Sequence, residues 1–261
     1  MDKLNQVIKG AIHFLFAGHY KGHGIHSPAV FEFVTKVLAD KTHFPAFELV
    51  EGIVELLKTN KQEINIDDFG AGSDIFKSNR RKVCDIARYS GCDKKTGQLL
   101  YRMASFYNPE VIIELGTSLG ISAMYMAKAL PDGTLLHTVE GSNNLTILAE
   151  KNIELASCNN IVLYHQRFEQ FLQEANKLIK NPAIVYIDGN HSYSATLEYF
   201  RYFDKHIAKG FIIFDDIYWS RDMEKAWKVV QKQAGTTVDL FSLGIVFKGD
   251  MLTPGNYKIR F

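Results

Sequence analysis

Cysteine is scarce. Cys84, Cys92 and Cys158 are all that 261 residues contain, odd in number and without CxxC spacing, which excludes a disulfide framework and fits a reducing compartment. Excess charge is missing as well. Thirty basic against 29 acidic residues leave a net +1, so no whole-molecule field favours nucleic acid or an anionic membrane. Nor is there a long apolar run. Ala11-Ile12-His13-Phe14-Leu15-Phe16-Ala17 is too short to span a bilayer, is broken by a histidine, and has no cleavage site after it. A cytoplasmic location follows as the expectation, with neither membrane nor nucleic acid as partner. His19, His23 and His26 lack a cysteine or carboxylate at zinc-binding spacing. A nucleophile elbow and a P-loop lysine are likewise absent.

What remains is a chain 46% hydrophobic and 23% charged, the composition of a globular protein with a substantial core. Its length suits one large α/β domain with an appendage. Apolar residues at helical spacing predict helices over residues 3–17, 28–39 and 47–58. Pro28 suits the first turn of the second, with Ser27 as its N-cap. Residues 63–73 read as a strand running into the glycine-bearing Asp67–Ser73 loop. The basic run from Lys77 to Lys82 follows it where an apolar helix face should begin, so that loop is assigned to the appendage and the run to a solvated face.

From Thr96 the pattern turns regular. A helix near 97–107 precedes a β-branched strand, 111–115. Further strands are expected at 134–139, 161–165, 183–187, 211–214, 237–241 and 245–248. Helices are expected between them near 121–130, 143–156, 168–179, 194–206 and 221–233. Strands alternating with helices imply a parallel sheet covered on both faces. Only Ser242-Leu243-Gly244 separates the last two strands, too little for a crossover, so they form an antiparallel hairpin. The fold expected is therefore α/β, Rossmann-like: a sheet of seven strands with helices on both faces, its last strand antiparallel. Residues 1–95 form an N-terminal helical cap or appendage, and 96–261 the main domain.

In such a sheet ligands bind at the carboxyl ends of the strands. The first strand ends in Glu114 and the turn Gly116-Thr117-Ser118-Leu119-Gly120, whose glycines let backbone N–H groups approach a ligand. The second ends in Glu140-Gly141-Ser142, where a carboxylate can accept both hydroxyls of a ribose. The third ends in Arg167-Phe168, the fourth in Asp188-Gly189-Asn190-His191-Ser192-Tyr193, the fifth in Asp215-Asp216. So many acids at one edge need a cation or substrate to compensate them.

The run Glu114–Gly120 with Glu140 resembles the class I S-adenosylmethionine-dependent methyltransferases. The segments at Asp188–Tyr193 and Asp215-Asp216 resemble the subgroup of catechol and caffeoyl-CoA O-methyltransferases and their bacterial relatives. The resemblance spans about residues 96–250. It implies a cofactor site of Glu114, Gly116, Thr117, Ser118, Gly120, Ser122, Glu140, Gly141, Ser142, Arg167, Phe168 and Asp188, with Glu140 on the ribose. It implies Asp188, Asp215 and Asp216 as ligands of Mg2+ or another divalent cation, and His191 and Asp188 as catalytic groups, a neutral His191 imidazole taking the acceptor's proton. Two positions depart from the family pattern. Arg167-Phe168 stands where an acid or small polar residue usually meets adenine, and Asp216 where an amide is common. The activity implied is O-methylation of a small-molecule acceptor. Its alternatives are N-methylation without metal, or cofactor binding without catalysis, while a nicotinamide oxidoreductase fits the glycine turn and closing hairpin poorly. No Asn-Pro-Pro-Tyr motif for amino-group methylation of bases is present. Homodimerisation stays open.

Overall fold

A computed structural model describes residues 3–18, 22–67, 79–250 and 252–261. In chain order its elements are α1 (Lys3–Phe16), α2 (Pro28–Glu32) running into a π-helical turn (Phe33–Leu38), α3 (Pro45–Thr59), β1 (Glu63–Asn65) and β2 (Arg80–Lys82). There follow α4 (Val83–Tyr89), α5 (Lys94–Tyr107), β3 (Val111–Leu115), α6 (Ile121–Ala127), β4 (Leu135–Glu140), α7 (Asn143–Leu155) and β5 (Ile161–His165). The rest are α8 (Phe168–Ala175), β6 (Ala183–Ile187), α9 (Tyr193–His206), β7 (Gly210–Phe214), α10 (Arg221–Gln233), β8 (Thr236–Asp239), β9 (Gly244–Lys248) and β10 (Gly255–Lys258). The main sheet is mixed and has eight strands, one more than the seven expected. The fold class is as expected.

Contacts group the chain into two compact units, residues 41–179 and residues 1–40 with 180–261. This grouping cuts across the division at residue 95. In the first unit β4 lies between β3 and β5, all parallel, in register from Val111 opposite Leu135 to Glu140 opposite His165. Every residue of β3 is buried, as a strand covered on both faces must be. Asp93 accepts from the backbone N–H of Lys95 and Thr96 and so caps α5. Asn108, at φ 43°, ends that helix in the left-handed region.

The basic run is in part a strand. Arg80–Lys82 pairs antiparallel with Glu63–Asn65, and Arg80 Nε meets Glu63 Oε2 at 2.6 Å. Most of the Asp67–Ser73 loop lies outside the described residues. Its first residue does not: Asp67 N donates to Ser142 Oγ at 3.3 Å, and Asn144 Nδ2 to Asn65 O at 2.8 Å.

In the second unit β6 and β7 pair parallel, while β9 runs antiparallel to both β7 and β8, which is the hairpin the short 242–244 connection requires. β10 adds itself parallel to β8. Residue 19, at the head of the histidine-rich break, falls outside the described residues. Ser27 stands at the N-cap of α2 as expected, though its buried hydroxyl makes no cap hydrogen bond. Helix α1 is tied down by Lys9 on Glu224 and by His13 Nε2, 3.0 Å from Asp239 Oδ1.

Candidate active site

In the unit of residues 41–179 the turn after β3 is fixed from three sides. Gly116, Ser118 and Gly120 have φ of 107°, 49° and 78°; two of the three are glycines because a Cβ is strained there. Gly116 N and Thr117 N both donate to Val139 O. Asn152 Nδ2 of α7 holds Leu119 O at 2.9 Å. Glu114 is fully buried, and its carboxylate accepts hydrogen bonds from the hydroxyls of Ser122 and Thr138. Thr138 Oγ1 is in turn 2.6 Å from Thr117 Oγ1. Glu114 and Ser122 thus brace this turn from beneath.

Glu140, at the end of β4, receives the N–H of Ser118 on Oε2 at 2.9 Å and that of Ser142 on Oε1 at 2.8 Å. Burial drives its pKa up, and the backbone N–H groups of Ser142, Ser118 and Gly141 oppose that rise. Of its roughly four acceptor sites these N–H groups leave capacity for a further donor. Gly141 O lies 3.2 Å from His165 Nε2. At the end of β5, Arg167 is exposed and half-buried Phe168 opens α8. The structure therefore gathers the sequence-predicted residues into two hydrogen-bonded sets around the turn, Glu114 with Ser122 and, through Thr138, Thr117, and Glu140 with Ser118 and Ser142.

In the other unit the register places Ile187 opposite Phe214, so Asp188 and Asp215 leave neighbouring strands side by side. His191 Nε2 is 3.4 Å from Asp188 Oδ1. Burial works against the imidazolium. The Asp188 hydrogen bond and the charges of Asp188, Asp216 and Asp215 overcome it, pushing the pKa to about 9. Asp215 is driven the same way, well above the usual carboxylate range, by burial and by the charges of Asp188 and Asp216. Its oxygens accept from Tyr186 Oη at 2.7 Å and from Asp216 N at 2.9 Å. Asn190 and Asp216 adopt φ of 47° and 55°, the region where Asn and Asp are the usual non-glycine residues.

Two features differ from the sequence reading. The charges around His191 push its pKa up to about 9, which favours an imidazolium that compensates the acids over the neutral base expected. And among the described residues no group of three or more His, Cys, Asp or Glu side chains is arranged to hold a metal ion. Three carboxylates are the donor set a hard cation takes. Here, however, Asp188 faces His191 while Asp215 faces Tyr186, so the set does not fit a preformed metal site.

Sequence reasoning missed Tyr186 and Asp239. The first is an aromatic in an all-buried strand, whose hydroxyl must find a partner; that was the available signal. Asp239 is fully buried and accepts from His13, Tyr218, Trp227 and Phe241 N. Its partners lie up to 226 residues away, and no local pattern reports them.

Residues 113–217 match the family model described as a methyltransferase domain. A rat relative named "Transmembrane O-methyltransferase homolog" is 40% identical over 73 residues, 28% of this chain and 28% of that protein. The chain thus matches little more than a quarter of that relative's length. An O-methyltransferase from Bacillus cereus, solved with S-adenosylhomocysteine, covers 84% of this chain and 97% of its own at 18% identity and a TM-score of 0.53. A Podospora anserina methyltransferase, also with bound S-adenosylhomocysteine, covers 96% and 97% at 12% identity and a TM-score of 0.58. The expected resemblance to S-adenosylmethionine-dependent methyltransferases is borne out, and the fold is theirs. The cytoplasmic expectation is not: the relatives carry "transmembrane" in their names, although no described helix is long and apolar enough to cross a membrane.

Proposed function

We propose that this chain transfers the methyl group of S-adenosylmethionine to a hydroxyl oxygen of a small-molecule acceptor. The observation that carries this reading is Glu140, a carboxylate fixed by the N–H groups of Ser118 and Ser142 with lone pairs left over. A vicinal diol offers donors to the remaining acceptor capacity, and such a diol is the ribose of the cofactor. In this reading the backbone of Gly116, Thr117, Ser118 and Gly120 borders the methionine end and Gly141 with Ser142 the adenosine. Arg167 and Phe168 flank the adenine, Phe168 by stacking. Glu114 and Ser122 act by bracing the turn.

Methyl transfer is a displacement. The acceptor oxygen forms a bond to the methyl carbon, the carbon–sulfur bond breaks, and its electron pair neutralises the sulfonium. The protein's contribution is alignment of oxygen, carbon and sulfur. The hydroxyl proton must also leave, and the family resemblance offers Asp188 as the group to take it. His191, its pKa raised to about 9, holds Asp188 by its hydrogen bond. No step here passes through a cation, because Asp188 faces His191 and Asp215 faces Tyr186.

The test has two parts. Calorimetry measures S-adenosylmethionine binding, and release of S-adenosylhomocysteine is then followed across phenols, catechols and aliphatic alcohols, with and without chelator. Turnover that persists in chelator is the expected outcome. Its loss on chelation would make Asp188, Asp215 and Asp216 metal ligands instead. Binding with no turnover on any acceptor would leave a protein that holds the cofactor without using it.

A further inference from the structure

Helix α1 is mounted with its polar side inward. Lys9 pairs with Glu224, His13 reaches Asp239, and Gly10 comes so near Phe241 that a Cβ would stand 3.3 Å from the ring. Its large apolar residues point the other way. Ile8, Ile12, Leu15 and Phe16 recur at i, i+4, i+7 and i+8, a single helical stripe, and they are 48%, 49%, 69% and 78% exposed. Phe14, beside them, is also exposed, and the Arg260 guanidinium lies 4.3 Å from its ring. A surface helix ordinarily buries such a stripe. A contiguous exposed one marks a face that something covers.

Charge identifies the cover. From Lys3 to Phe31 the sequence holds three lysines and four histidines and not one carboxylate, with Lys9 and His13 answered by Glu224 and Asp239 from elsewhere in the chain. The near-zero net charge conceals this, because the acids sit elsewhere in the chain. Arg260, held over Phe14, sets one more cation at the border of the stripe. An apolar stripe with the Arg260 guanidinium at its border, on a segment whose sequence carries no carboxylate, complements a surface that is apolar in depth and anionic at its boundary.

We propose that α1 docks this protein on an anionic lipid surface. The Ile8–Phe16 stripe enters the boundary between headgroups and acyl chains, and Arg260 at its border meets the lipid phosphates. Nothing in this depends on the methyl-transfer reading.

The test is co-sedimentation of the full chain with vesicles of phosphatidylcholine, with and without phosphatidylserine, at low and high salt. The expected result is binding to the serine-containing vesicles, weaker by about tenfold on neutral ones or in high salt. A similar loss of about tenfold is expected for Leu15→Glu/Phe16→Glu. S-adenosylmethionine binding and a thermal melt verify that the variant is folded; should it melt early, Arg260→Gln and Phe16→Ser make the same comparison. Parent protein left in the supernatant, or variants that bind like the parent, would overturn the proposal. So would a parent dimer that the substitutions split into monomers without any vesicle binding, since a second copy would then be what covers the stripe.

Discussion

At the end of β4 the carboxylate of Glu140 is met by two backbone N–H groups, whereas at the end of β7 the carboxyl of Asp215 meets the charges of Asp188 and Asp216. Both groups are buried, and burial raises both pKa values. They differ in what offsets that cost. The amides around Glu140 are fixed by the turn and by the start of α7, so its charge is stabilised before any ligand arrives. Around Asp215 the compensation comes from one titratable imidazole and one phenol. The first arrangement suits holding a neutral diol unchanged. The second suits a place where charge must move.

Removing Glu140 should have the largest effect. Hydrogen bonds to a charged group contribute about 1.5–3 kcal/mol each, so Glu140→Ala should weaken S-adenosylmethionine binding by at least about tenfold. It should also lower the melting temperature, since Ser118 N and Ser142 N lose their acceptor. Glu140→Gln, which keeps one acceptor oxygen, should fall between. Unchanged calorimetric affinity in Glu140→Ala would misplace the ribose and remove the contrast drawn above.

The next effect is His191's. An imidazole pKa raised from its ordinary value to about 9 corresponds to about 3 kcal/mol favouring the charged form in the fold. Since the folded value is the higher one, this stabilisation is fully present below about pH 6.5 and is lost as pH rises through about 9. Melting curves from pH 6 to 10 should therefore converge for the parent and His191→Gln at the alkaline end, with the parent the more stable at the acid end. Parallel curves would mean that His191 does not carry the compensating charge.

A smaller effect of opposite sign is expected at Asp215. Asp215→Asn removes the like-charge repulsion and keeps partners for Tyr186 and for Asp216 N. At pH 8 it should stabilise the fold by about 1 kcal/mol while lowering turnover, whereas no substitution of Glu140 should stabilise. A destabilised Asp215→Asn would show that the two strand ends are alike after all.

Much of the fold could be read beforehand because the main strands carry their own signal. Residues 161–165 and 183–187 are runs of apolar and aromatic residues bounded by helices, and the structure ends them where the residues do. β10 could not be found in this way. Gly255-Asn256-Tyr257-Lys258 carries no strand pattern and exists by pairing with β8. β2, an Arg-Arg-Lys run, pairs with β1 only because an exposed two-stranded ladder tolerates charge and Glu63 answers Arg80. The acids of the candidate site were legible as residues at strand ends. Their protonation was not, because it depends on which carboxylates become neighbours across β6 and β7, and on Tyr186 reaching Asp215.

The smallest effect belongs to Glu114, which the sequence offered as a cofactor contact. Its carboxylate lies beneath the turn, where Ser122 and Thr138 donate to it. Hydroxyls can reverse: each has a proton and two lone pairs, so in Glu114→Gln the new NH2 group can donate to one of them while the remaining oxygen accepts from the other. The cost should then be about 1 kcal/mol of stability, with S-adenosylmethionine affinity nearly intact. Glu114→Ala has no such recourse. It leaves two buried hydroxyls without their acceptor and a cavity under Gly116, so both stability and affinity should fall further than in Glu114→Gln. If Glu114→Gln instead lost affinity as severely as Glu140→Ala, Glu114 would be touching the cofactor and not only bracing the turn, and the line drawn here between a carboxylate that binds and one that supports would have to move from β4 to β3.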